Sequence, residues 1–120
     1  MSRGSFISLQ QAITMITAYR KLSPEILEPA YRNQGILATC ETLDSDLVQQ
    51  LLAQPGCVGM RIYFGMDEKH RIHSIIVGVN AENQDILPAT TEALAGDEGL
   101  IIENADRCPI VCPPPSVLNP

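Results

Sequence analysis

The sequence predicts a single α+β domain, with a mostly antiparallel sheet of three to five strands around a central hairpin (58–66/71–80) and N-terminal helices packed on it. Three observations carry this expectation. Apolar residues recur at helical spacing before position 55, at Leu9, Ala12, Ile13, Ile16, Tyr19 and Leu22, and again at Leu47, Val48, Leu51 and Leu52. Two β-rich runs, Val58 to Met66 and Arg71 to Asn80, flank Asp67-Glu68-Lys69-His70, a polar connection of hairpin length. The chain has 120 residues and is 45% hydrophobic, enough for one core with no second domain.

In chain order, Ser8 with Gln11 three residues later reads as a capping box, starting a helix that runs from about Leu9 to Leu22. Ser23-Pro24-Glu25 offers a fresh helix start that Pro29 limits to a turn or two. Ile36 to Thr42, bounded by Gly35 and Asp44-Ser45-Asp46, reads as a short strand. Asp44 or Ser45 then caps a third helix whose apolar stripe is buried, and Pro55-Gly56 stops it. In the hairpin, Met66 is placed opposite Arg71. That register sets Val58, Met60, Ile62 and Phe64 on one core face with Val79, Val77, Ile75 and His73, because side chains alternate along a strand. It places Gly59 opposite Gly78 on the other face, beside Arg61 and Tyr63.

Beyond the hairpin, Thr90 to Leu94 reads as a helical turn, Gly96-Asp97-Glu98-Gly99 as a turn and Leu100 to Glu103 as a strand. The domain is expected to span residues 1–107. The segment 108–120 forms a Cys/Pro-rich tail whose prolines lack ladder donors and keep it extended or irregular.

Composition narrows the function. A net charge of −6 repels phosphate backbones, and two Phe, three Tyr and no Trp leave little stacking surface, which argues against nucleic acid. No apolar run approaches the roughly 20 residues needed to span a bilayer, so no membrane partner is expected. The N-terminus carries no apolar leader segment, and a reducing, cytoplasmic setting is expected in which the four cysteines stay free or bind metal. With 18% charged residues and a mean hydropathy of +0.06, the surface favours an assembly partner and a homo-oligomer.

Candidate chemistry is sparse. Cys108 and Cys112 stand four apart with Pro109 between them, a spacing open to zinc ligation or to oxidation as a pair, with Cys57 or Cys40 and a histidine as further ligands. His70 and His73 are three apart, which on a strand sends them to opposite faces. Cys57 follows a helix C-terminus, where the dipole disfavours a thiolate, and Cys40 neighbours Glu41. The common phosphate-loop, dinucleotide and hydrolase signatures are absent, which leans the reading away from catalysis and leaves no small-molecule ligand to name. The hairpin's second face is the main lead for a ligand or partner surface. There two opposed glycines, Gly59 and Gly78, admit a close approach beside Arg61 and Tyr63. The competing reading is that helix one or the tail covers them. Pro113-Pro114-Pro115 is a polyproline tract that fits either a docking segment or a stiff terminus.

The stretch Gly56-Cys57-Val58-Gly59-Met60-Arg61-Ile62-Tyr63-Phe64-Gly65, the run Ile72 to Val79 and the Cys108 to Cys112 tail resemble a family of small uncharacterised bacterial proteins. The resemblance implies a bacterial cytoplasmic protein and assigns no role to the histidines or tail cysteines. The leading expectation is a non-catalytic interaction or self-association module with no cofactor. The alternative is a zinc-binding or thiol-redox protein built on the C-terminal cysteine pair.

Overall fold

The computed structural model describes residues 3–91, 96 and 99–120. Its elements are α1 (Leu9–Ile26), a 3-10 turn at Pro29–Tyr31, β1 (Cys40–Thr42), α2 (Ser45–Leu52), β2 (Cys57–Met66), β3 (Ile72–Asn80), β4 (Asp85–Ile86), β5 (Ile101–Ile102) and β6 (Asp106–Cys108). They form an α+β fold. Strands β2, β3, β4 and β5 make one antiparallel sheet, and β1 pairs with β6 in a separate two-stranded ribbon.

The capping box forms as the sequence predicts: Ser8 Oγ accepts the Gln11 N–H at 3.1 Å, and Gln11 Oε1 accepts the Ser8 N–H at 2.8 Å. The helix does not restart at Ser23. It continues through Pro24 to Ile26, because a proline in the last turn removes only the bond to the carbonyl four residues back, and on an exposed helix water serves that carbonyl. No residue of α1 is buried.

Strand β1 is shorter than expected. Ile36 is buried, but its carbonyl accepts the Ile72 N–H at 2.8 Å, so this end of the predicted strand brackets the edge of β3 instead of joining a ladder. Helix α2 starts after Asp44 and stops before Gly56, whose φ of 77° only glycine adopts without strain. Of its predicted stripe only Leu51 is buried. Leu51 packs with Ile76, Ile102 and the partly covered Leu43, while Leu47 and Leu52 remain exposed. The predicted helical turn at 90–94 and the turn at 96–99 lie largely outside the described residues.

The hairpin is antiparallel as expected, but its register differs by one residue. Met66 faces Ile72, because Asp67 and Arg71 close the ladder and His70 takes a left-handed conformation at φ 65°. The connection is therefore a three-residue loop with its last residue left-handed. The shift re-pairs both faces: Met60 meets Gly78, Ile62 meets Ile76 and Phe64 meets Ser74, whereas Gly59 meets Val79, Arg61 meets Val77 and Tyr63 meets Ile75. Gly59 and Gly78 consequently lie on opposite faces, and the valines expected to share a face with Ile62 stand behind Arg61 and Gly59. Val58 is the extra residue of a bulge between Cys57 and Gly59.

The ribbon is locked to the sheet by polar groups. Arg107, on β6, is 5% exposed, and its Nη2 donates to the carbonyls of Gly35 (3.1 Å), Ile36 (3.4 Å) and Ile72 (2.9 Å). Its charge is met by Glu41 of β1, with Nε to Oε1 at 3.6 Å, and the same Oε1 accepts the Ser74 N–H at 3.3 Å. Strand β6 spans positions 106 to 108, and Cys108 is buried within it.

Candidate interaction surface

Strand β2 is an edge strand. The Asp67 N–H donates to the Arg71 carbonyl at 3.1 Å, which fixes the parity of the ladder: the odd residues Gly59, Arg61, Tyr63 and Gly65 turn their backbone groups toward β3. The even residues Met60, Ile62, Phe64 and Met66 turn theirs outward. Among the described residues no strand pairs with that outer edge.

The far edge of the sheet is treated differently. Along β3, Ile72 is held by Ile36, Ser74 by Glu41, Ile76 and Val77 by β5, and Gly78 and Val79 by β4. Every stretch of that edge has a partner from the same chain, and β2 is left as the one long open ladder among the described residues.

The side chains repeat the contrast. Helix α2 packs against β2 and β3 on the face that carries Ile62, with Leu51 on Ile76, yet the apolar side chains of β2 stay open. Met60 is 45% exposed, Ile62 52%, Phe64 76% and Met66 62%. An apolar stripe and an open backbone edge thus coincide on one strand, an arrangement that folded proteins ordinarily blunt with charge, proline or a cover.

Of the surface residues expected from sequence, Gly59, Arg61 and Tyr63 share one face and Gly78 lies on the other. Arg61 is ion-paired with Asp85 and also donates to Asn83, and the Tyr63 hydroxyl donates to the other oxygen of Asp85. The Tyr63 hydrogen bond, reinforced by the guanidinium, holds the Asp85 carboxyl below its ordinary range. The same hydrogen bond pushes the Tyr63 phenol up, so its hydroxyl stays a donor. Gly78 is covered, though by neither helix one nor the tail: a Cβ there would stand 2.9 Å from Cys57 Sγ and 3.1 Å from Gln54 Nε2. Gly59 is more open, with Val79 Cγ2 at 3.4 Å from an added Cβ.

At the hairpin tip Asp67 is a hub. Its Oδ1 accepts the N–H groups of Lys69 (2.8 Å) and Arg71 (3.0 Å), and its Oδ2 meets Arg71 Nε (2.8 Å) and His73 Nε2 (2.7 Å). The hydrogen bond with His73, aided by those from Arg71 and Lys69, holds the Asp67 carboxyl far below its ordinary range. His73 Nδ1 lies 3.4 Å from Glu103 Oε1. His70 is turned away, with its ring edge-to-face against Tyr31 at 5.7 Å, so the two histidines do not converge.

A cleft of about 330 Å³ opens beside β2, lined among others by Tyr19, Cys40, Glu41, Phe64, His73 and Ser74. Its polar groups are engaged internally. Tyr19 donates to the Ala38 carbonyl, Glu41 serves Ser74 and Arg107, and His73 faces Asp67 and Glu103, so no base is free to activate the Cys40 thiol. Burial pushes the Tyr19 phenol up, against the opposing pull of Arg107.

Cys108 and Cys112 are joined in a disulfide, which departs from the expectation of free or metal-bound thiols and matches the alternative of oxidation as a pair. Cys40 and Cys57 are free; Cys57 Sγ lies 3.3 Å from the Gly59 carbonyl. Among the described residues no three His, Cys, Asp or Glu side chains gather as a metal site, and no helix is long and apolar enough to cross a membrane.

Sequence reasoning missed Asp85, which engages both Arg61 and Tyr63, and the Arg107–Glu41 lock. Nothing local marks either, because each partner lies 20 or more positions away in the chain. Comparison with family models, with curated proteins and with solved structures finds no match.

Proposed function

We propose that this chain is a non-catalytic self-association module whose partner is a second copy of itself, joined through the outer edge and apolar face of β2. The observation that carries the reading is the coincidence, on Met60, Ile62, Phe64 and Met66, of outward-facing backbone groups with side chains that all stand exposed to water. An edge strand laid antiparallel to its own copy about a two-fold axis near Ile62 brings N–H to C=O and sets the same apolar stripe on one continuous face. The strand is its own complement. A different partner would have to supply a long strand of matching apolar pattern, whereas a copy of β2 has it already.

The exposed stripe of α1 supports the same reading. Leu9, Met15 and Leu22 stand in water, apolar surface on α1 that a partner copy can cover. The resemblance of the hairpin and tail to small bacterial proteins supports a bacterial, cytoplasmic setting for the module. Its charge of −6 keeps such an assembly soluble while leaving the apolar patch to choose the contact.

The test uses the parity of the ladder. Ile62→Pro removes an N–H that points away from β3 and adds a ring where the copy would dock, so the hairpin is kept and the assembly is lost. Sedimentation equilibrium is expected to give a dimer for the parent chain and a monomer for Ile62→Pro and for Phe64→Lys, with unchanged far-UV circular dichroism. A parent chain that stays monomeric at 100-fold dilution and concentration alike sinks the proposal.

A further inference from the structure

The cysteines carry a chemistry separate from the association surface. Cys108 is tied to Cys112, with Cα atoms 4.5 Å apart, across a turn closed by the Val111 N–H donating to the Arg107 carbonyl at 2.7 Å. The same Cys108 is the register partner of Cys40 in the β1–β6 ladder, and Cys40 is a free thiol. Directly opposed residues of an antiparallel pair share a face, with Cβ atoms about 4.5–5.5 Å apart. A disulfide closes at a Cβ separation of about 3.5–4.5 Å. One sulfur therefore has two partners within the fold's reach: Cys112, to which it is bonded, and Cys40, across a small closing of the two strands. Their accessibilities are graded, since Cys108 is buried, Cys40 half-buried and Cys112 exposed.

We propose that Cys40, Cys108 and Cys112 form a thiol–disulfide exchange site that presents Cys112 as an exposed thiolate to small disulfide molecules. In the first step Cys40, with no side-chain base beside it, loses its proton to solvent hydroxide, and the thiolate attacks Sγ of Cys108. The Cys40–Cys108 bond forms, the Cys108–Cys112 bond breaks, and its electron pair leaves on Sγ of Cys112. The charge passes from one sulfur to another, and no oxidant is consumed. In the second step the Cys112 thiolate attacks a low-molecular-weight disulfide, keeps one half as a mixed disulfide and expels the other half as a thiolate. The first step runs inside the ladder, where Cys108 is shielded from external thiols. Only the product sulfur faces solvent.

The new bond asks little of the fold, because Cys40 and Cys108 are already paired through their strands. What it changes is the segment after Cys108, whose covalent ring opens. Cys57, next to Gln54 and Gly78 at the other free thiol position, serves as an internal control.

The experiment incubates the full chain, without reductant, with oxidised glutathione at about pH 8.5, the ordinary thiol pKa. After acid quench, alkylation of remaining thiols and cleavage at Arg and Glu, linked and modified peptides are read by mass spectrometry. The expected result is a peptide pair joining Cys40 to Cys108 together with glutathione on Cys112, both lost in Cys40→Ser. Glutathione on Cys40 with the Cys108–Cys112 bond intact overturns the proposal, as does an unmodified Cys112 with no Cys40–Cys108 link. A second arm treats Cys112→Ser with the same oxidant. A Cys40–Cys108 disulfide supports the exchange, and a chain in which both remain alkylatable refutes it.

Discussion

Asp67 shows how much one side chain does at the hairpin tip. It accepts two backbone N–H groups within the loop and faces His73 and Arg71, and its carboxyl is held far below the ordinary range. A depressed folded-state pKa means that, below the unfolded value of about 4, the unfolded chain binds the proton first. The stabilisation from Asp67 is therefore complete above about pH 4 and is lost progressively as pH falls from there through the folded value. Asp85, depressed by Tyr63 and Arg61, acts in the same direction. Asp67→Asn keeps an acceptor for the backbone but loses the charge. It is expected to be less stable than the parent at pH 7 in urea titrations, with the gap narrower at pH 2; a gap of equal size at both values contradicts this account. None of this network was legible in the sequence beyond Asp67 standing in a turn. A carboxylate there ordinarily satisfies loop donors, and only the folded register brings His73 to it.

Among the elements, the hairpin and both α-helices follow from periodicity and capping signals, while the register does not. The reason is His70: nothing in its residue type demands a left-handed conformation, yet adopting it shortens the loop by one residue and moves every pairing on the ladder. With that shift the two glycines separate, and they now predict opposite outcomes. A methyl at Gly78 meets Cys57 Sγ at 2.9 Å and Gln54 Nε2 at 3.1 Å in a buried strand, whereas one at Gly59 finds only an ordinary contact with Val79. Gly78→Ala is expected to cost about 1–3 kcal/mol through overpacking, and Gly59→Ala to lie within about 0.5 kcal/mol of the parent. Chemical denaturation of the two variants decides it, and equal effects would refute the assigned faces.

The whole molecule has a small core for its composition. Among the described residues the buried apolar side chains are Ile36, Leu51, Ile76, Val77, Val79, Ile102 and Cys108, in a chain that is 45% hydrophobic. The sequence announced the apolar content but not its distribution, because helical spacing on α1 and alternation on β2 look the same whether the apolar side meets its own domain or a neighbour. Cohesion between ribbon and sheet falls instead to the buried Arg107 with Glu41, a pair whose members lie on strands far apart in the chain. Arg107→Met leaves the Glu41 carboxylate without its cation and the carbonyls of Gly35 and Ile72 without a donor, while Ile36 keeps the Ile72 N–H. Losing one partner of such a pair is expected to cost about 3–5 kcal/mol, measured as a lowered urea midpoint. A midpoint within error of the parent would show that the guanidinium is not what joins the two sheets.

That guanidinium also sets an order of events. The carbonyls of Gly35, Ile36 and Ile72 and the short strand at Cys40 are made early, but the side chain that gathers them is made late, so the hairpin can zip locally while the ribbon must wait. In a growing chain both strands of the central hairpin are synthesised while the first strand still lacks a mate.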